Sequence, residues 1–168
     1  IIDIGANVGF FSLASRFYFP NSEIHAFEPN LNLKEYLSHN FSNLDIKLHS
    51  KAVGERSGTV QLNIIGESNQ TRVNESSPGS TEMITLESIL SDIDREIDLL
   101  KMDCEGSEWG ILRDTESLKQ VNNITLEYHL WANQKTHKDA KNLLTNHGFK
   151  IIKHLPCSDF GMICGTKK

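Results

Sequence analysis

Cysteine is scarce in these 168 residues: Cys104, Cys157 and Cys164 are an odd number with no metal-like spacing. That excludes a disulfide framework or a zinc cluster and fits reduced thiols in a cytoplasmic interior. Cys157 and Cys164 flank a predicted hairpin, but a bridge between them needs a geometry that spacing alone does not supply. Long apolar runs are missing too. None approaches the roughly 18 residues that a membrane helix requires, so insertion into a bilayer is not expected. Basic clusters are absent. Seventeen Lys and Arg are scattered among 22 Asp and Glu, for a net charge of −5, which leaves no electrostatic footprint for nucleic acid. The four Asn-x-Ser/Thr matches, at Asn40, Asn69, Asn74 and Asn123, are read as chance in an Asn-rich chain.

No repeat, low-complexity tract or interdomain linker interrupts the sequence. With 38% hydrophobic residues, residues 1–168 are expected to form one domain around a sizeable core. The chain opens without Met inside a strand pattern, so a native N-terminal segment is expected ahead of residue 1.

What is present begins at that opening. Ile1-Ile2-Asp3-Ile4 is a buried-strand run that breaks into Gly5-Ala6-Asn7-Val8-Gly9 and then a helical pattern. Small residues there let a ligand approach the backbone, and the helix that follows presents its positive end. Ile24 to Glu28 reads as a second strand ending in an acid nineteen residues past Gly9, near the spacing at which a carboxylate meets ribose hydroxyls in βαβ nucleotide sites. A dinucleotide fingerprint needs two further glycines where this chain has Asn7 and Phe10. That disfavours NAD and favours a ligand without phosphates, such as S-adenosylmethionine.

Strands and helices then alternate, which predicts an α/β fold with a mainly parallel sheet covered on both faces. Helices are expected over 10–19, from about 30 to 41, near 86–90, over 107–120 and over 134–146. Strands are expected over 46–53, 59–65, 82–85, 97–105 and 124–130. Residues 149–155 and 160–166 read as an antiparallel hairpin that closes the sheet. The polar stretch 66–80 reads as a long loop, either mobile or a lid.

Asp3 to Gly9, Ala26-Phe27-Glu28-Pro29, Thr85-Leu86 and Leu100-Lys101-Met102-Asp103-Cys104-Glu105-Gly106-Ser107-Glu108 together resemble the ordered motif set of FkbM-type methyltransferases. The likeness covers nearly the whole chain. It implies a Rossmann-like class I methyltransferase sheet of about seven strands, S-adenosylmethionine as donor, and O-methylation of a hydroxyl on a sugar, glycan or secondary metabolite. It also implies that Asp3, Gly5, Asn7, Gly9 and Glu28 line the cofactor, with Val53 near the adenine. The acid that many class I enzymes carry after the third strand is missing.

The chemistry rests on the strands over 97–105 and 124–130. Alternation puts Lys101, Asp103 and Glu105 on one face of the first, and Glu127 and His129 on one face of the second. Buried ions need partners, and a Lys101–Glu127 pair across the two strands is the expected structural pairing. Asp103, Glu105 and His129 fall near strand ends, where open α/β sheets place their ligand crevice. His129 is the first candidate for the base that removes a hydroxyl proton and Glu105 the second, while Asp103 would orient cofactor or substrate. The acids are too few for a metal assignment. His25, His39, His49, His137, His147 and His154 show no motif spacing and read as surface or hydrogen-bonded residues. Two rival readings are an NAD(P)-dependent oxidoreductase and a non-catalytic cofactor-binding module.

Overall fold

The computed structural model describes residues 1–65, 70–74, 79–131 and 134–167. The chain begins β1 (Ile2–Ile4), α1 (Phe10–Tyr18), β2 (Ile24–Phe27), a 3₁₀ turn (Leu31–Leu33), α2 (Lys34–Asn40) and β3 (Ile46–His49). An excursion follows: β4 (Ala52–Val53), β5 (Gly58–Ile65), β6 (Gln70–Asn74) and β7 (Thr81–Ile84). Then come α3 (Leu86–Ile93), β8 (Ile97–Met102), α4 (Glu108–Ile111), α5 (Thr115–Lys119) and β9 (Val121–His129). The described chain ends with α6 (His137–Asn146), β10 (Lys150–Pro156) and β11 (Phe160–Thr166).

Seven strands form the main sheet in the order β10-β11-β9-β8-β1-β2-β3, with β11 antiparallel to both of its neighbours. Side-chain alternation splits the core into two layers. Ile2, Ile4, Leu100, Met102, Ile124 and Leu126 face α3 to α6 through Leu90, Trp109, Leu118 and Leu144. Ile24, Ala26 and Ile46 face the opposite way, against Leu13 of α1, Leu37 of α2 and Phe41. Helix starts are fixed by local chemistry. Thr85 accepts the Ser88 N–H at α3, and Thr136 with Asp139 forms a reciprocal capping box at α6. Among the described residues no helix is long and apolar enough to cross a membrane.

Several local expectations change. The run 46–53 is two strands, because Ser50-Lys51 breaks it and the pieces enter different sheets: β3 pairs with β2, while β4 pairs with β7. Residues 70–74, read as loop from their polarity, form β6 against β5, with Thr71 opposite Ile64 and Val73 opposite Leu62. Residues 66–69 and 75–78 of that expected loop, Asn69 among them, lie outside the described residues. The helix expected over 107–120 is divided, since the Asp114 side chain accepts the Ser117 N–H and starts α5 afresh. Cys157 and Cys164 do not meet. Cys164 sits opposite Lys153 in the hairpin, and all three thiols are free.

Candidate active site

The turn after β1 uses its own backbone donors. Gly5 and Ala6 N–H donate to the Phe27 carbonyl, Gly9 N–H to the Ala6 carbonyl, and Asn7 N–H to Glu28 Oε2 at 2.9 Å. Of the five N–H groups in 5–9, these four are spent inside the protein, so little remains of the cradle that a pyrophosphate needs. A carboxylate already stands where such an anion would approach. Glu28 is 6% exposed; its Oε1 accepts the Asn30 N–H, and burial pushes its carboxyl above the ordinary value despite the two N–H donors. Each carboxylate oxygen retains a further lone pair for a ribose hydroxyl.

Glu28 lines a cavity at the carboxyl ends of β1, β2 and β8, together with Gly5, Asn7, Val53, Asp103 and Glu105. Thr71 and Val73 of β6 close one side of it, and Thr71 Oγ1 accepts a hydrogen bond from Asn30 Nδ2 at 3.0 Å. The donor set suits an adenosyl ligand: a carboxylate for the ribose, an apolar wall at Val53, and no phosphate nest.

Two of the residues expected at the cofactor have other work. Asp3 is fully buried beneath the turn, where Oδ2 accepts the Ser12 hydroxyl at 2.7 Å and Oδ1 pairs with Lys101 Nζ at 3.0 Å. Lys101 also donates to the Gly5 carbonyl at 2.6 Å, so the expected Lys101–Glu127 pair is replaced by an Asp3–Lys101 brace under the turn. Gly9 has φ 91° and lies against Phe41, whose ring a Cβ would strike, so its smallness serves helix packing. Gly5, at φ 76°, lines the cavity but is also forced by the fold, because a Cβ there would collide with the Asp103 carbonyl oxygen.

On the other side of the cavity stand the candidate reacting groups. After β8 the chain coils tightly, with Glu105 at φ 53° and Gly106 at φ 108°. This coil points the N–H groups of Cys104 and Gly106 at Glu108, whose Oε1 and Oε2 accept them at 2.9 Å each. His129 ends β9 and is 7% exposed; its Nδ1 lies 3.3 Å from Glu108 Oε1. Its Nε2 faces Glu105 Oε2 at 3.7 Å and Glu127 Oε1 at 3.6 Å. The Trp109 indole N–H donates to the His129 carbonyl at 2.9 Å and holds the strand end. The structure therefore brings Asp103, Glu105 and His129 together beside the cavity that Asp103 and Glu105 line.

Electrostatics follow from crowding and burial. Burial is the largest cause of upward shifts at Asp103, Glu105 and Glu127, and repulsion from neighbouring carboxylates, Glu108 in all three cases, adds to it. Burial alone would lower the His129 imidazole, but its hydrogen bond to Glu108 and the charges of Glu108, Glu105 and Asp103 raise it on balance. Donor atoms of Asp103, Glu108 and His129 lie within 4.8 Å of one another. Each Glu108 oxygen accepts an N–H and Oε1 also faces His129 Nδ1, so hydrogen bonds hold this trio together and we assign it no metal.

Sequence spacing missed Glu108, although it stands in the motif after β8, because its importance comes from the coil that folds back onto it. It also missed Arg72, whose guanidinium lies 3.9 Å above the Trp131 ring and whose Nε lies 3.9 Å from Glu105. The polar pattern of 66–80 predicts a loop at Arg72, where the structure has β6. Of the remaining histidines, His39 is exposed on α2, while His25 meets His49 and Glu23, His147 the Leu112 carbonyl, and His137 and His154 both the Tyr128 hydroxyl.

A seven-stranded sheet with one antiparallel strand, and a buried acid at the end of the second strand beside a cavity without a phosphate nest, are the features of a class I S-adenosylmethionine-dependent methyltransferase. Residues 3–151 match the Methyltransferase FkbM domain, and the chain belongs to that family. It is 28% identical to Methyltransferase sdnD of Sordaria araneosa over 91% of this chain and 74% of that protein. It is 26% identical to Methyltransferase 1 of Beauveria bassiana (strain ARSEF 2860) over 93% and 74% of the two chains. In fold it resembles the ribosomal protein L11 methylase from Lactobacillus delbrueckii subsp. bulgaricus (TM-score 0.58, 14% identity, 99% of this chain and 68% of that one). It also resembles M. capricolum TrmK in complex with S-adenosyl-homocysteine (TM-score 0.57, 12% identity, 99% and 61%).

Proposed function

We propose that this methyltransferase is an O-methyltransferase whose acceptor is a hydroxyl of a sugar, a glycan or a secondary metabolite. The observation that supports it most is the buried His129 imidazole, one carboxylate away from the cofactor cavity, with Nε2 turned toward Glu105. S-adenosylmethionine supplies an electrophilic methyl group when bound. Glu28 would hold its ribose, with Gly5, Asn7 and Val53 as neighbouring walls. Transfer of that methyl to the acceptor oxygen would leave S-adenosylhomocysteine, and His129 Nε2 would take the hydroxyl proton.

A neutral hydroxyl attacks poorly, so a base in reach contributes about 10²–10⁴-fold. Asp103 and Glu105 orient the reactants, a positioning effect that carries much of the rate in a single in-line displacement. Half-buried carboxylates around Nε2 disfavour an acceptor bearing phosphates and suit a neutral hydroxylated one.

A panel of hydroxylated acceptors with labelled methyl donor tests the reading. Methyl ether products and a His129→Ala variant about 10²–10⁴-fold slower, with S-adenosylhomocysteine affinity within twofold of wild type, are expected. Wild-type turnover in that variant removes His129 from the mechanism, and label recovered only on nitrogen or carbon overturns O-methylation.

A further inference from the structure

His129 can act as a base only if Nε2 carries no hydrogen when the acceptor arrives. A neutral imidazole holds one proton on either nitrogen, and which one is set by what the other nitrogen faces. Here Nδ1 faces Glu108 Oε1 at 3.3 Å, an oxygen that also accepts the Cys104 N–H. Glu108 is fully buried at the start of α4 and both its oxygens act as acceptors, so the group opposite Nδ1 calls for a hydrogen there.

We propose, on the reading of His129 as the base, that Glu108 is its positioning residue: it fixes the Nδ1–H tautomer, leaves Nε2 bare toward the acceptor, and ties the imidazole to the coil bearing Asp103 and Glu105. One carboxylate joins the two halves of the reacting site, since the coil N–H groups and the imidazole of a different strand meet on it. Glu108 makes no contact with the cavity itself.

The charged groups facing the ring come from each element around it. Glu108 arrives from α4, Asp103 and Glu105 from the coil after β8, and Glu127 from β9 itself. Arg72 of β6 stands behind Glu105 and over Trp131, and the rings of Trp131 and Phe160 complete the surround. Of these, Glu108 alone is placed against Nδ1.

Glu108→Gln tests the idea with little change of shape. An amide cannot accept from Cys104, Gly106 and His129 at once, because one end of it is itself a donor. Glu108 raises the imidazole pKa, so in the variant the acid limb of kcat should move to lower pH by about 1–3 units, the scale of a lost neighbouring charge. Maximal kcat should fall about 10²–10⁴-fold as the tautomer is lost, with KM for the acceptor and S-adenosylhomocysteine affinity nearly unchanged. A variant that loses cofactor affinity while its pH limb stays in place would make Glu108 a scaffold of the coil only, and overturn the proposal.

Nitrogen-15 NMR of the imidazole in the wild-type chain decides independently of acceptor and variant. Neutral His129 protonated on Nδ1 is the expected result, and protonation on Nε2 overturns the proposal even if Glu108→Gln fails to fold. Because this readout needs no turnover, failure of the base reading, seen as full activity in His129→Ala, remains distinguishable from failure of the Glu108 assignment.

Discussion

Glu28 shows how a single residue can serve both structure and ligand. It spans the turn after β1 and the chain after β2 by accepting one N–H from each, and burial holds its pKa above the ordinary value. Ribose hydroxyls donate to the ionised form, so S-adenosylhomocysteine affinity should stay level above that raised pKa and fall as pH drops through it. A pH series of calorimetric titrations checks the sign; affinity that strengthens on acidification would contradict it. The same upward shift means that the ionised carboxylate opposes folding, and the relief gained by protonating it is lost as pH rises through the folded pKa. Gly5 makes the opposite point. Gly5→Ala should cost several kcal/mol of stability, since a Cβ meets backbone and not a yielding side chain, and a thermal melt unchanged within a degree would refute the close approach. Spacing made Glu28 and the Gly5 turn legible. It could not separate Gly5 from Gly9, which faces Phe41, nor tell that Asp3 is consumed by Lys101 and Ser12, because those partners depend on which strand lies next to which.

At the scale of elements, the sequence was readable where periodicity and a stop signal coincide. α6 begins at the Thr136–Asp139 capping box and its last turn precedes Gly148, and β10 and β11 flank a short polar turn as expected. Thr136→Ala should destabilise by about 1 kcal/mol, read as a lowered melting temperature, with cofactor affinity unaffected. Legibility failed in β6. Apart from Val73, which packs on Ala52, Val60 and Met83, its residues are polar, because this strand is secured by backbone pairing to β5 and by side chains reaching the site. Arg72 lies over Trp131 and beside Glu105, and a cation over an indole at a partly exposed site contributes about 0.5–1 kcal/mol. Arg72→Ala should therefore speed amide exchange within 70–74 by roughly two- to fivefold. Exchange that does not change would mean that the clasp does not hold β6 in place.

For the molecule as a whole, the alternation of strands and helices announced a parallel α/β sheet. The order β10-β11-β9-β8-β1-β2-β3 places the ends of β1, β2, β8 and β9 side by side. That placement is why four motifs far apart in the chain become one site: Gly5 and Asn7, Glu28, the coil from Asp103 to Glu108, and His129. Two strands of the second sheet, β4-β7-β5-β6, are legible as 59–65 and 82–85, but their assembly into a separate sheet is not, because its pairing joins 52–53 to 83–84 across a long separation. Its contribution is to bring Val53, Thr71 and Val73 over the cofactor cavity.

The central claim, that this cavity holds S-adenosylmethionine through Glu28, is tested most directly by calorimetric titration of the wild-type chain and of Glu28→Ala with S-adenosylhomocysteine. The expected result is wild-type binding on the order of micromolar, weakened at least about tenfold, or about 1.4 kcal/mol, in the variant. Equal affinity in the two proteins, or no binding by the wild type, would contradict it.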